Sequence, residues 1–165
     1  MITEYTQNDY SNILYVINDA SLKYKKIIPD DCWHEPYMSK KELIDEFTNG
    51  VRMFGYKKNN ELVGVMGIQE LKDVTLIRHA YILIQYQRIG IGKSLLQYLF
   101  KINKSPRLFV GTWRDATWAI QFYEKFGFVL HTKEQTVKLL EKYWKISSNQ
   151  INNSVILEKY TKEAF

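Results

Sequence analysis

One cysteine, Cys32, stands in a chain of 165 residues, so no internal disulfide can form. No apolar run approaches the ~20 residues that a membrane-spanning helix needs. The opening Met1-Ile2-Thr3-Glu4-Tyr5 lacks the basic-then-apolar pattern of a secretory signal. A soluble, cytoplasmic protein without a membrane partner is therefore expected. Three dispersed histidines and a lone cysteine argue against a metal site. The 3 prolines and 8 glycines are spread out, and the chain holds no repeat, low-complexity tract or linker. A single domain over residues 1–165 is the expectation.

The net charge of +5 is mild, and the longest basic runs are pairs: Lys25-Lys26, Lys40-Lys41 and Lys57-Lys58. A nucleic-acid binder would carry a denser stripe, so no nucleic-acid partner is expected. The minority reading, a nucleic-acid-associated protein, predicts salt-sensitive binding. A small anionic ligand suits the charge balance better.

What is present is a composition for a packed core, 45% hydrophobic and 15% aromatic. Residues 2–5 read as a strand. Residues 7–24 read as a helix on the spacing of Tyr10, Ile13, Leu14, Ile17 and Leu22, with Asn8 or Asp9 as its cap. Pro29 and Pro36 make 27–38 irregular. Ser39 and Glu42 form a capping-box pattern at the head of a helix to Thr48, closed by Asn49-Gly50. Strands follow at 51–57, 62–71 and 74–84, the last long and apolar enough for a sheet centre. Helices at 91–103, 115–125 and 133–144 alternate with strands at 107–111, 128–131 and 154–160. The fold class is α/β (α+β), with a mixed, mostly antiparallel sheet flanked by helices.

The chemistry is concentrated where the long strand ends, in Gln87-Arg88-Ile89-Gly90-Ile91-Gly92 followed by Lys93 and Ser94. Glycines let the backbone turn tightly and approach a ligand. The helix behind them offers unpaired N–H groups and a positive dipole end, which suits a pyrophosphate. A dinucleotide fingerprint would need a glycine where Leu95 stands. A P-loop would need one where Gln87 stands. A kinase loop would need further motifs that the chain is too short to hold. Alone, the glycines could be a plain helix-entry turn.

A second motif lies about thirty residues on, Trp118-Ala119-Ile120-Gln121-Phe122-Tyr123-Glu124-Lys125-Phe126-Gly127-Phe128. Together the two segments resemble the paired motifs of the GNAT N-acetyltransferases, in order and spacing, and the likeness covers nearly the whole chain. It implies the GNAT acyl-CoA N-acyltransferase fold and acetyl-CoA as co-substrate, with an amine acceptor. It implies a bulge in the central strand near Tyr81 to Ile84, with Ile82 and Ile84 as backbone contacts to the pantetheine arm. Gln87, Arg88, Ile89, Gly90, Ile91, Gly92, Lys93 and Ser94 would surround the pyrophosphate. Tyr123 would protonate the departing thiolate, or else only pack beneath the cofactor.

Two positions depart from the family pattern. Ala116 stands where many members have asparagine, and Leu76 stands near the place of a glutamate base. His79 is the nearest titratable substitute, either as base or as a histidine bonded within the sheet. Glu70 is a weaker candidate. The segment holding Asp30, Asp31, Trp33, His34, Glu35 and Tyr37 should wall the acceptor site, with acids drawing a cationic amine and aromatics holding it. It could also be a compact loop stapled by Trp33 and Tyr37. The helix at 133–144 would cover the acceptor side or make a homodimer contact. The missing base leaves a second function open, an acyl-CoA-binding module with little turnover.

Overall fold

In the computed structural model, which describes residues 1–161, seven strands join in one sheet of order β1-β2-β3-β4-β5-β7-β6. Positions 162–165, included in the single-domain expectation, lie outside the described residues. The strands are β1 (Ile2–Tyr5), β2 (Val51–Lys58), β3 (Glu61–Glu70), β4 (Thr75–Ile82), β5 (Arg107–Trp113), β6 (Val129–Leu130) and β7 (Ser154–Tyr160). Five neighbouring pairs are antiparallel and one, β4 with β5, is parallel. The mixed, mostly antiparallel sheet is thus as expected. β2 and β3 are joined by Asn59 and Asn60, both left-handed with φ of 51° and 63°. Asparagine tolerates that conformation, which matches the twist of a two-residue hairpin. β3 is buried over seven consecutive residues, from Leu62 to Ile68, because helices cover both of its faces.

The helices are α1 (Tyr10–Ala20), α2 (Lys40–Thr48), α3 (Ile91–Ile102), α4 (Thr117–Lys125), α5 (Lys133–Tyr143) and a short α6 (Ser148–Asn152). The single helix expected over 7–24 is instead α1 between two 3₁₀ turns, Gln7–Asp9 and Ser21–Tyr24. The N-cap position of α1 is Asp9, one of the two expected residues, although its side chain makes no cap bond there; Thr6 caps the preceding 3₁₀ turn in a capping box with Asp9. The capping box of α2 is as read: Ser39 N–H donates to Glu42 Oε2 at 2.6 Å, and Glu42 N–H to Ser39 Oγ at 3.2 Å. α3 buries Ile91, Leu95, Leu96 and Leu99. Each such side chain contributes about 1.5–3 kcal/mol relative to exposure. α5 lies over the β5–β7 side, where Leu140 joins Val74, Leu76, Phe109 and Ile156 in a separate apolar cluster. Among the described residues, no helix is long and apolar enough to cross a membrane.

The feature that shapes the site is where β4 and β5 part. They pair at Thr75↔Leu108, Leu76↔Phe109 and Ile77↔Val110 and no further, although both strands continue. The cause is a bulge in β4. Against β3 the register runs Gly67↔Arg78 and then Val65↔Tyr81, so β4 carries one extra residue at His79–Ala80. His79 takes it up with φ of 54°. A bulge bends its strand and sharpens the twist, which swings the end of β4 away from β5. The bulge therefore falls two residues before the expected Tyr81–Ile84, and the strand stops at Ile82.

Candidate active site

The gap between the parted strands opens on two cavities that share Tyr24 and Tyr81 as their common wall. The first, about 500 Å³, lies between the end of β4, the head of α3 and the face of α4. Among the described residues, its lining carries four cationic side chains, Lys23, Arg88, Lys93 and Lys125, and no carboxylate. Arg88 and Gly90 both have left-handed backbone, φ 64° and 94°, so the chain folds tightly into α3. The first backbone bond of α3 runs from Ser94 N–H to Gly90 C=O at 3.0 Å. The N–H groups of Ile91, Gly92 and Lys93 precede that bond and have no acceptor within the helix. Unpaired donors, a helix dipole and four cations make this end of the cavity suit a polyanion.

Lys23 is the group that local sequence reading missed here. Its Nζ lies 4.4 Å above the Trp118 ring centroid and donates to Gln87 Oε1 at 3.1 Å. Partial burial and the nearby Arg88 charge hold its pKa below the ordinary lysine value. Gln87 in turn donates from Nε2 to Ile82 C=O at 2.9 Å, tying the turn to the strand end. Deeper in the cavity stands Tyr123, 4% exposed, packed edge-on against Phe122 and Phe128. Burial, with Tyr24 adding to it, pushes its phenol far above the ordinary tyrosine range. Tyr123 is therefore a neutral O–H donor at any physiological pH.

The second cavity, about 330 Å³, lies across the gap. Tyr37, Trp113 and Trp144 give it aromatic walls, and Trp113 Nε1 donates to the Tyr37 hydroxyl at 2.9 Å. His79 lines it with Glu42 and Glu46 from α2. His79 Nε2 and Glu46 Oε2 are 2.6 Å apart, and Arg78 Nη2 donates to the same oxygen at 2.7 Å. Burial, joined by Arg78, lowers the histidine pKa despite the hydrogen bond to Glu46 that opposes it. Leu140, Trp144 and Ile146 bring α5 and its following segment to the rim, so α5 covers this side.

Of the residues singled out from sequence, Ile82, Gln87, Arg88, Gly90, Gly92, Lys93 and Tyr123 meet around the first cavity. Ile91 is buried in the core and contributes only backbone, Ile89 is exposed, and Ser94 Oγ donates back to Gly90 C=O. Ile84, expected as a second backbone contact, does not line this cavity. It lies in a 3₁₀ turn beyond the strand, its N–H donates to Asp19 Oδ2 at 2.9 Å, and its C=O accepts from Gln87. In the segment before α2, only His34 and Tyr37 of the named residues line the second cavity. Asp31 accepts from Asn149, Glu35 pairs with Lys25, and Asp30 is exposed. Trp33 stacks on Tyr37 behind the wall. None of these three acids lines the second cavity, whose carboxylates among the described residues are Glu42 and Glu46 of α2, a helix whose pattern gave no sign of a site. Glu70 pairs with Arg52 and lies outside both cavities. Leu76 is buried beneath α5 and Ala116 packs with Ile28 and Trp113, so neither supplies a polar group.

The geometry agrees with the comparisons. A family model described as an acetyltransferase (GNAT) domain matches residues 6–141. No curated protein matches the chain. Among solved structures, the PaiA N-acetyltransferase of Thermoplasma acidophilum, in complex with coenzyme A, superposes with a TM-score of 0.75 at 20% identity, covering 98% of each chain. The ribosomal-protein-S18-alanine N-acetyltransferase of Escherichia coli gives 0.71 at 16% identity, over 100% of this chain and 96% of that one. A GNAT family acetyltransferase of Elizabethkingia anophelis with acetyl-CoA bound gives 0.62 at 19%, over 98% and 97%.

Proposed function

The chain belongs to the GNAT acetyltransferase family and is an acyltransferase, and from that premise we propose that it moves the acetyl group of acetyl-CoA onto a primary amine held in the second cavity. The observation that carries this reading is the pair of cavities joined through the β4–β5 gap, one cationic without a carboxylate, the other aromatic and bearing carboxylates. The residues of the first cavity fit coenzyme A. Backbone N–H groups of Ile91, Gly92 and Lys93, with Lys23 and Arg88, receive the pyrophosphate, and the unpaired edge of β4 up to Ile82 receives the pantetheine arm as an added strand. Acetyl-CoA supplies the activated thioester.

The acceptor enters from the other side. Glu42 and Glu46 draw an ammonium, and Tyr37, Trp113 and Trp144 hold it by cation–π contact. An ammonium has no free lone pair, so one proton first passes to His79 and on to water. The amine nitrogen then attacks the thioester carbon and the C–N bond forms. Collapse of the adduct breaks the C–S bond. Sulfur takes the Tyr123 proton, and the second proton leaving nitrogen restores the phenol through water. The products are an N-acetyl amine, a free thiol and one proton released to solvent.

The test is thiol release from acetyl-CoA against a panel of primary amines, with the acetylated product identified by mass. One thiol per acetylated amine is expected. Tight coenzyme A binding without amine-dependent release across the panel would overturn the reading in favour of a binding module.

A further inference from the structure

Glu46 stands 33 residues before His79, on a different element, and has no part in either motif. Its Oε2 is the meeting point of Arg78 Nη2 and His79 Nε2, and Arg78 is itself held by Gln69 Oε1, which accepts from Nη1 at 2.8 Å. The side chains of Glu46 and His79 are 21% and 15% exposed, so the contact is largely shielded from water. Burial works against ionisation of Glu46, but the hydrogen bonds and charges of His79 and Arg78 outweigh it and hold the carboxyl below its ordinary range. A carboxylate can only accept. The 2.6 Å contact therefore places the histidine proton on Nε2, and a neutral ring then keeps its lone pair on Nδ1. Among the described residues, no protein group bonds to His79 Nδ1 or to Glu46 Oε1. Both residues line the second cavity, and Nδ1 and Oε1 are the ring nitrogen and carboxylate oxygen that their mutual contact leaves free.

We propose that Glu46 is a positioning residue for acetyl transfer: with Arg78 as its clamp, it fixes the tautomer and ring orientation of His79 so that Nδ1 receives the acceptor's proton. This rests on the reaction proposed above. The proton leaves the ammonium nitrogen for Nδ1 and forms an imidazolium, whose Nε2 proton stays hydrogen-bonded to Glu46. Water at the cavity mouth then takes the Nδ1 proton and restores the neutral ring. Glu42 on α2 also favours the imidazolium, and Arg78 opposes it. The other titratable groups around this cavity are Tyr81 on β4, Tyr24, Cys32, His34 and Tyr37 before α2, and Lys145 after α5.

Two measurements test this. The first is long-range ¹⁵N–¹H spectroscopy of the imidazoles in the unaltered protein, with His79 assigned by its loss in His79→Ala. It should find His79 protonated on Nε2 and bare on Nδ1 at pH 7. A proton on Nδ1 overturns the proposal whatever the kinetics show. The second is a double-mutant cycle. Glu46→Gln should lower kcat about 10²-fold, leave the KM for acetyl-CoA unchanged and move the acid limb of the pH profile to lower pH, because a neutral amide no longer favours the imidazolium. In a His79→Ala background the same change should cost under about 2-fold, and Glu46→Asp should recover part of the single-mutant loss. Equal losses in both backgrounds would assign Glu46 a structural role and overturn the proposal. If the unaltered protein acetylates no amine, the reaction itself is wrong, while the tautomer measurement still decides what Glu46 does.

Discussion

Lys23 reaches from the 3₁₀ turn after α1 to lie over Trp118 at the start of α4, with Nζ 4.4 Å from the ring centroid. This cation–π contact ties the two sides of the first cavity together. It also holds an ammonium next to Arg88, in surroundings that disfavour its charge. An anion would relieve that repulsion.

Removing the charge should therefore weaken coenzyme binding more than it weakens the fold. Lys23→Met keeps the aliphatic stem over Trp118 and deletes the ammonium. We expect the coenzyme A dissociation constant to rise roughly 10-fold, in line with about 1.5–3 kcal/mol for a hydrogen bond to a charged group, less what screening removes. Titration calorimetry at low and high salt reads the effect, which should shrink as salt rises. A salt-independent loss would point to packing instead.

Tyr123→Phe separates the two readings of that residue. The ring sits among Phe122 and Phe128, so phenylalanine preserves the packing and removes only the hydroxyl. Loss of a proton donor should lower kcat on the order of 10²-fold with the acetyl-CoA KM within a few-fold of normal. Burial keeps the phenol protonated well above pH 10, so its ionisation should leave no limb in the rate profile below that pH. Full activity in the variant, with a genuine acceptor, would reduce Tyr123 to a packing residue.

The difference between Lys23 and the glycine turn shows what the sequence could reveal. Gln87 to Ser94 is a local device: strand end, tight turn and helix head follow one another along the chain, and residue type at fixed spacing is enough to read it. The capping box of α2 is local in the same way. Lys23, Glu46 and Trp144 join the site only through tertiary packing, from elements whose periodicity describes nothing but an amphipathic helix. The bulge is a third case. An extra residue in a strand has no periodic signature, so the apolar run at 74–84 reads as one unbroken strand, and the bulge that the family resemblance implies near Tyr81 to Ile84 lies instead at His79–Ala80. His79 was legible as a titratable residue, but its partner on α2 was not.

The wall between the two cavities should make the fold sensitive to alkali. Burial raises the phenol pKa values of Tyr24, Tyr81 and Tyr123, with Tyr37 adding to the first two and Tyr24 to the third. For a group whose folded pKa lies above its unfolded value, the stabilisation is complete below the unfolded pKa and is lost as pH rises towards the folded one. The unfolded value is about 10. Thermal midpoints measured from pH 8 to 11.5 should hold steady to about pH 9.5 and then fall, and Tyr81→Phe should flatten the fall. A midpoint indifferent to pH across that range would mean that these phenols ionise freely.

Gly90 and Gly92 carry opposite expectations for stability and the same one for binding. Gly90 has φ of 94°, and an added Cβ would meet nothing within 4 Å, so Gly90→Ala is strained by backbone alone, at roughly 1–2 kcal/mol. Gly92 lies inside α3 with ordinary helical backbone, and an added Cβ would stand 3.4 Å from the Phe122 ring, a tolerable contact. Alanine is favoured over glycine within a helix by up to about 1 kcal/mol, so Gly92→Ala should melt at the same temperature or higher. Its methyl group, however, would occupy the cleft between the head of α3 and Phe122, where the proposed binding mode brings the pyrophosphate to the backbone N–H groups. Coenzyme A affinity should fall by at least ~10-fold, since a displaced anion loses one or more charge-assisted hydrogen bonds. A protein that gains stability and loses ligand from one methyl group would locate the anion at the helix head. Unchanged affinity in Gly92→Ala, and likewise in Gly90→Glu with its added carboxylate, would move the pyrophosphate elsewhere.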